Sequence, residues 1–218
     1  MISIAVPTGR MLKESIPVLS RMGLPCESLF SPGRSLVIEE KDFKYLLAKP
    51  MDVPSYVHYG AADMALSGSD VLMERSVPLV ELAETGAGRC RLVVAGSKEL
   101  APRFSGAGTS LTGLRVATKY PGITASFFAS RGARLEIIHM HGSVELAPLL
   151  GISDCILDIV QSGETLRANG LRVLLEVANV SMRLLGSRYF IQKNRNFVSG
   201  IISMLEPRKG RIFYGDQD

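Results

Sequence analysis

Short apolar runs alternate with amphipathic stretches along most of this chain, and the junctions between them are turns of small and polar residues. Ile2–Val6 reads as a buried strand, Pro7–Arg10 as a turn, and Met11–Gly23 as a helix with Leu12, Ile16, Leu19 and Met22 at helical spacing, interrupted by Pro17. The same order recurs at Tyr45–Tyr59, where Asp52 precedes Pro54 as a helix cap, and at Gly60–Arg75. It recurs again where the strand Arg115–Thr118 precedes a helix over Pro121–Arg131 with Ile123 and Phe127 facing in, and where Leu135–His139 precedes a helix over Ser143–Leu150. Strands alternating with helices at these intervals predict an α/β chain with mostly parallel sheets.

The clearest junction is Asp154–Gly170, DCILDIVQSGETLRANG. Cys155–Val160 is an apolar strand interrupted by Asp158, Gln161–Thr165 is a turn, and Leu166–Asn169 begins a helix that stops at Gly170. The first N–H groups of a helix lack internal partners and carry positive potential, so a phosphate suits such a junction. Gly163 permits close backbone approach, and the hydroxyls of Ser162 and Thr165 are phosphate donors. A plain strand–turn–helix capped by Ser162 or Thr165 accounts for the same residues. Asp158 adds a carboxylate at the strand's carboxyl end, where α/β folds place ligands and where an acid can hold two adjacent ribose hydroxyls.

The remaining signals bound the function. A net charge of +4 suits a small anion, and the absence of Trp leaves few stacking platforms for nucleic acid. Cys26, Cys90 and Cys155 are odd in number and form no Cys-x-x-Cys, which fits a reducing cytoplasm. The N-terminus does not read as a signal peptide, and no apolar run reaches the roughly 18–20 residues that span a bilayer. His139 and His141 share a strand face without a further ligand set. Leu174–Val180 reads as a strand returning to a first lobe, Arg188–Met204 as one amphipathic helix, and Lys209–Tyr214 as an edge strand. The polar stretch Glu84–Gly88 sets a lobe boundary, giving lobe I as 1–88 plus 178–218 and lobe II as 89–177.

Taken in order, VPTGRM, Asp52-Val53-Pro54-Ser55-Tyr56-Val57, GAADMALSGSDVL, CRLVVA, VATKYPGIT, GSVELAP and DCILDIVQSGETLRANGL resemble the catalytic subunit of the ATP phosphoribosyltransferase family, along nearly the whole chain. The resemblance implies two periplasmic-binding-protein-like (type II) lobes with an active site in the cleft between them. It implies transfer of the 5-phosphoribosyl group of phosphoribosyl pyrophosphate to N1 of ATP, with release of pyrophosphate and Mg²⁺ as cofactor. This is the first step of histidine biosynthesis. On that resemblance, Asp158 and Ser162, Gly163, Glu164, Thr165 and Leu166 form the phosphoribosyl site, with Glu145 and Asp154 on the sugar or metal side. Asp70 and Tyr120 fall on the nucleotide side, and Arg10 and Arg34 near the triphosphate and pyrophosphate as catalytic residues.

Thr8 stands where the family has lysine, and Lys49-Pro50-Met51 where an arginine is common. The chain ends at Asp218, without the C-terminal regulatory domain of about 70–80 residues that the family's long form carries. It therefore resembles the short form, which implies a homodimer within a hetero-oligomer with a histidyl-tRNA-synthetase-like regulatory subunit, in the cytoplasm. A non-catalytic bilobal protein that binds small anions and a phosphoribosyltransferase with another acceptor are the competing readings. Two adjacent acids before the loop would favour purine salvage, but Asp158 is followed by Ile159.

Overall fold

The computed structural model describes residues 1–105 and 110–205. The expected edge strand Lys209–Tyr214 lies outside the described residues. In chain order the elements are β1 (Ile2–Pro7), α1 (Arg10–Arg21), β2 (Val37–Glu40), β3 (Phe43–Ala48), α2 (Val53–His58), β4 (Met64–Gly68), α3 (Ser69–Arg75), β5 (Val80–Glu84), β6 (Cys90–Gly96), α4 (Pro102–Ser105) and β7 (Arg115–Thr118). They continue with α5 (Pro121–Ala129), β8 (Glu136–His139), α6 (Leu146–Leu149), β9 (Cys155–Val160), α7 (Glu164–Ala168), β10 (Arg172–Val180), β11 (Met182–Gly186), α8 (Arg188–Lys193) and α9 (Arg195–Leu205).

These elements divide into two compact units. The first comprises Met1–Leu66, Leu79–Thr85 and the described chain from Arg183 onward. The second comprises Ser67–Pro78 and Gly86–Met182. Against the expected boundaries, α3 and its flanks lie with the second unit, and the final crossing falls at Met182–Arg183.

The first unit holds a six-stranded sheet in the order β2-β3-β1-β4-β11-β5. Ile4, Ala5 and Val6 of β1 and Met64, Ala65 and Leu66 of β4 are fully buried. Both are central strands covered on two faces, which is why they read as unbroken apolar runs. β1 runs parallel to β3 and β4, whereas β2 returns onto β3 through the two-residue turn Lys41-Asp42, a connection only an antiparallel pair allows.

The second unit holds a five-stranded sheet, β10-β6-β9-β7-β8. β7 is parallel to β8 and β9, while β6 is antiparallel to both β9 and β10. Both sheets are thus mixed. Their parallel strands lie where helices make the crossovers, and the antiparallel pairs include β2–β3, β5–β11, β6–β9 and β6–β10.

Several local expectations change. Pro17 does not interrupt α1, which is continuous over Arg10–Arg21. Asp52 ends a short 3-10 turn (Pro50–Asp52) with helical backbone, so its side chain makes no cap hydrogen bond to α2. In α5 it is Phe128 that is fully buried, while Phe127 is half-buried and carries the Arg131 guanidinium 3.7 Å from its ring centroid. The return to the first unit's sheet is made by β11, since Leu174–Val180 lies in β10 and pairs with β6. The expected single helix Arg188–Met204 is broken at Asn194 (φ −125°, ψ 39°), whose side-chain amide donates to the Phe190 carbonyl. Among the described residues no helix is long and apolar enough to cross a membrane.

Candidate active site

The second unit contains a cavity of about 310 Å³ at the carboxyl ends of β7 and β9. Its apolar lining includes Ile156, Val160 and Leu166, which belong to a buried cluster with Val93 and Ala117. Around the opening stand Lys119, Glu145 and Asp158, and the turn Gln161–Thr165 closes one side.

The turn has the shape its sequence calls for. Gly163 adopts φ 74°, the left-handed region that side chains resist, and a Cβ there would lie 3.2 Å from Arg167 Nη1. Arg167 Nη1 donates to the Ser162 carbonyl, and the Glu164 N–H donates to Ser162 Oγ at 3.4 Å. Ser162, Glu164 and Thr165 are exposed, whereas Leu166 is buried in the core cluster. Leu166 therefore anchors the start of α7, and its neighbours present polar groups to the cavity.

Asp158 is largely enclosed, its side chain 16% exposed. Its Oδ2 lies 3.5 Å from Lys119 Nζ, and its Oδ1 accepts the Ile159 N–H at 2.9 Å. Burial holds its carboxyl above the usual carboxylate range; Lys119 and the Ile159 amide pull it down, and the nearby Glu145 adds to the rise.

The expected residues do not all meet. Glu145, Asp158 and Ser162–Leu166 share the cavity. Asp154 does not line it. It lies four residues before Asp158, about 13 Å along an extended strand, at the opposite end of β9. There its Oδ1 pairs with Arg115 Nη2 at 2.9 Å and its Oδ2 accepts the Arg115 N–H at 2.8 Å. The Arg115 hydrogen bond holds Asp154 below the usual range, as a structural acid would be held.

Asp70 and Tyr120 are both buried in the second unit, where Tyr120 Oη donates to Asp70 Oδ2 at 2.8 Å. Burial, then the Asp70 charge, raises the Tyr120 hydroxyl well above its usual range. Arg10 and Arg34 belong to the first unit and are exposed. Arg10 opens α1 directly after Gly9, whose φ 71° and ψ −140° only glycine adopts readily, and this turn places it at the carboxyl edge of its sheet. Arg34 follows Gly33 (φ 60°) in the turn that leads into β2.

Two residues escaped the sequence reading. Lys119 stands beside Asp158, and its signal was its position one residue past the strand Arg115–Thr118. Glu74 accepts the N–H groups of Gly122 and Ile123, each at 2.9 Å, and so caps α5. Its signal was the spacing from Asp70, one helical turn away on the same face.

The family model described as ATP phosphoribosyltransferase (HisG) matches residues 49–207. Among relatives, the ATP phosphoribosyltransferase of Sorangium cellulosum is 46% identical over 94% of this chain and 94% of its own length. That of Citrifermentans bemidjiense is 40% identical over 94% and 97%. Among solved structures, the ATP phosphoribosyl transferase (HisG:HisZ) complex from Thermotoga maritima aligns with a TM-score of 0.77 and 32% identity, over 94% of this chain and 96% of that one. The periplasmic aliphatic sulphonate binding protein SsuA from Escherichia coli aligns over 94% of this chain and 70% of its own with a TM-score of 0.59 at 14% identity, a likeness of fold alone. With the match to the family model covering most of its length, the chain belongs to the ATP phosphoribosyltransferase family.

Proposed function

We infer that this chain transfers the 5-phosphoribosyl group of phosphoribosyl pyrophosphate to N1 of ATP and releases pyrophosphate, the first step of histidine biosynthesis. The observation that carries the reading is the cavity at the end of β9, in a chain of this family, with an enclosed carboxylate beside a glycine-turned hydroxyl loop. Asp158 accepts hydrogen bonds from the two ribose hydroxyls, and the Ser162–Thr165 turn receives the 5-phosphate. Leu166 keeps the turn in place through the core, and Glu145 borders the sugar. Asp70 and Tyr120, hydrogen-bonded to each other, support the nucleotide side together with Arg10.

N1 of adenine already has a lone pair, so no strong base is needed to create the nucleophile. The demands are alignment behind the anomeric carbon and stabilisation of the departing pyrophosphate. Alignment lowers a barrier by roughly 7–11 kcal/mol in favourable cases. Arg34 and Arg10 supply charge to the leaving group, with planar forks suited to phosphate oxygens.

Glu145, Asp158 and Glu164 bring three carboxylates to one cavity, yet among the described residues no group of three or more His, Cys, Asp or Glu could hold a metal by itself. Such a lining is no cage for an ion, and Mg²⁺ would be held on the oxygens of the diphosphate, with water completing its shell. When bound, Mg²⁺ offsets charge on the leaving group.

The Thermotoga maritima structure is a HisG:HisZ complex. By likeness to it we propose a histidyl-tRNA-synthetase-like regulatory partner for this chain, homodimeric within the hetero-oligomer and cytoplasmic, where its two substrates are made. The test is pyrophosphate release from phosphoribosyl pyrophosphate with ATP, adenine or guanine as acceptor, with and without such a partner. Release with ATP alone among the acceptors is expected. Release with a free base instead would reassign the acceptor.

A further inference from the structure

Lys119 has no part in the reading above. It follows β7 by one residue, and β7 and β9 run parallel with Thr118 level with Leu157. The next pair in register is therefore Lys119 and Asp158, side by side at the carboxyl ends of adjacent strands. Their side chains meet, with Nζ 3.5 Å from Oδ2, and both line the cavity. The acid is the enclosed partner, at 16% side-chain exposure against 36% for the lysine. With Oδ1 on the Ile159 amide and Oδ2 on Lys119, both carboxylate oxygens have a fixed neighbour, which sets the plane of the group.

The remaining groups around Asp158 do not do the same work. Tyr120 comes from the same turn as Lys119, Glu145 from the start of α6, and Glu164 from the start of α7. β6 places Val93 opposite Asp158, with nothing to titrate. Among the described residues that line the cavity, Lys119 is the one cation. Burial and Glu145 both work against a charged Asp158, and Lys119 is the foremost influence in its favour. A carboxylate that receives two neighbouring hydroxyls as donors has to be ionised and fixed in rotation.

We propose that Lys119 is a positioning residue of the phosphoribosyl site, acting through Asp158 to keep its carboxylate oriented and charged for the two ribose hydroxyls. The proposal rests on the reading of this cavity as the phosphoribosyl site. It differs from a lysine that only attracts the donor's phosphates, because its effect must follow the titration of Asp158.

The test uses the full chain, with phosphoribosyl pyrophosphate and Mg²⁺ titrated calorimetrically across the acid range, for wild type, Lys119→Met and Lys119→Arg. The ligand's own phosphate titration is common to the three proteins and cancels in the comparison. Wild-type affinity should weaken as pH falls through the Asp158 transition. In Lys119→Met the midpoint should move to higher pH, the effect of removing an adjacent opposite charge. Lys119→Arg should restore it. Carbon NMR of the Asp158 carboxyl, without ligand, should show the same displacement and reads the effect even if Lys119→Met binds poorly. A loss of affinity equal at every pH with the carboxyl midpoint unmoved overturns the proposal, as does unaltered behaviour of Lys119→Met. A wild-type chain that does not bind the donor overturns the phosphoribosyl reading itself, and the proposal with it.

Discussion

The Tyr120 hydroxyl donates to the Asp70 carboxylate at 2.8 Å, between side chains only 6% and 5% exposed. Asp70 lies in the first turn of α3, and Glu74, four residues on, caps the start of α5 through Gly122 and Ile123. Two acids on one helix face thus hold both the residue before α5 and its first amides. Gly122 suits this closeness, because a Cβ there would meet the Glu74 carboxylate at 3.2 Å. Tyr120→Phe should cost about 1–3 kcal/mol, as a buried bond to a charged group does. That corresponds to a fall in Tm of roughly 2–4 °C per kcal/mol at this chain length. A thermal melt checks it. An unchanged Tm would show that the pair contributes nothing to the fold.

Asp158→Asn should separate activity from stability. Loss of the charged acceptor should lower kcat/KM for the donor by about 10–100-fold, equivalent to about 1.5–3 kcal/mol. Stability should move the other way. The folded carboxyl is raised above its unfolded value, so folding favours the protonated form. The acid's contribution to stability therefore falls as pH rises from the unfolded value through the folded one. Above that window Asp158→Asn should melt higher than wild type and below it the two should converge. A variant less stable than wild type at neutral pH would mean that Asp158 is a structural acid.

Asp154 supplies the opposite case. Its folded carboxyl is lowered, chiefly by the Arg115 hydrogen bond, so its stabilising effect is present above the unfolded value and is lost as pH falls through the folded one. That window lies below about pH 4. Asp154→Asn should melt lower than wild type at neutral pH, the difference should close in acid, and donor affinity should not change. Weakened donor binding at an unchanged Tm would return Asp154 to the site.

Most of the second unit's site was legible because strand–turn–helix junctions carry local chemistry. Gly163 requires its left-handed turn, Leu166 belongs to the apolar period, and Asp158 interrupts an apolar strand, so all can be read without knowing a neighbour. Asp154 could not be placed that way. It is as close to the strand in sequence as the loop is, and only the direction of β9 decides that it stands at the far end. Lys119 and Glu74 depend on pairings between distant segments, the β7–β9 register and the α3–α5 contact. The exchange of Phe127 for Phe128 is a one-residue difference of helix phase, which periodicity leaves open when both neighbours are apolar, and the break at Asn194 turns on a polar side chain that bonds the carbonyl four residues back.

Arg34→Ala tests the charge assigned to the leaving group. An electrostatic contact made chiefly in the transition state should appear in kcat, with a loss on the order of 10²-fold, while the dissociation constant for the donor changes little. Stopped-flow pyrophosphate release beside calorimetric binding measures both. An unchanged kcat removes Arg34 from that role.

Pyrophosphate release on mixing the purified chain with phosphoribosyl pyrophosphate, Mg²⁺ and ATP, each omitted in turn, alone and with a HisZ-type subunit, measures the reaction itself. Release that requires both substrates, gives a phosphoribosyl adduct of ATP in equal amount, and is slowed by about 10–100-fold in Asp158→Asn is the result expected. A chain that binds both substrates yet releases no pyrophosphate under either condition would contradict the account.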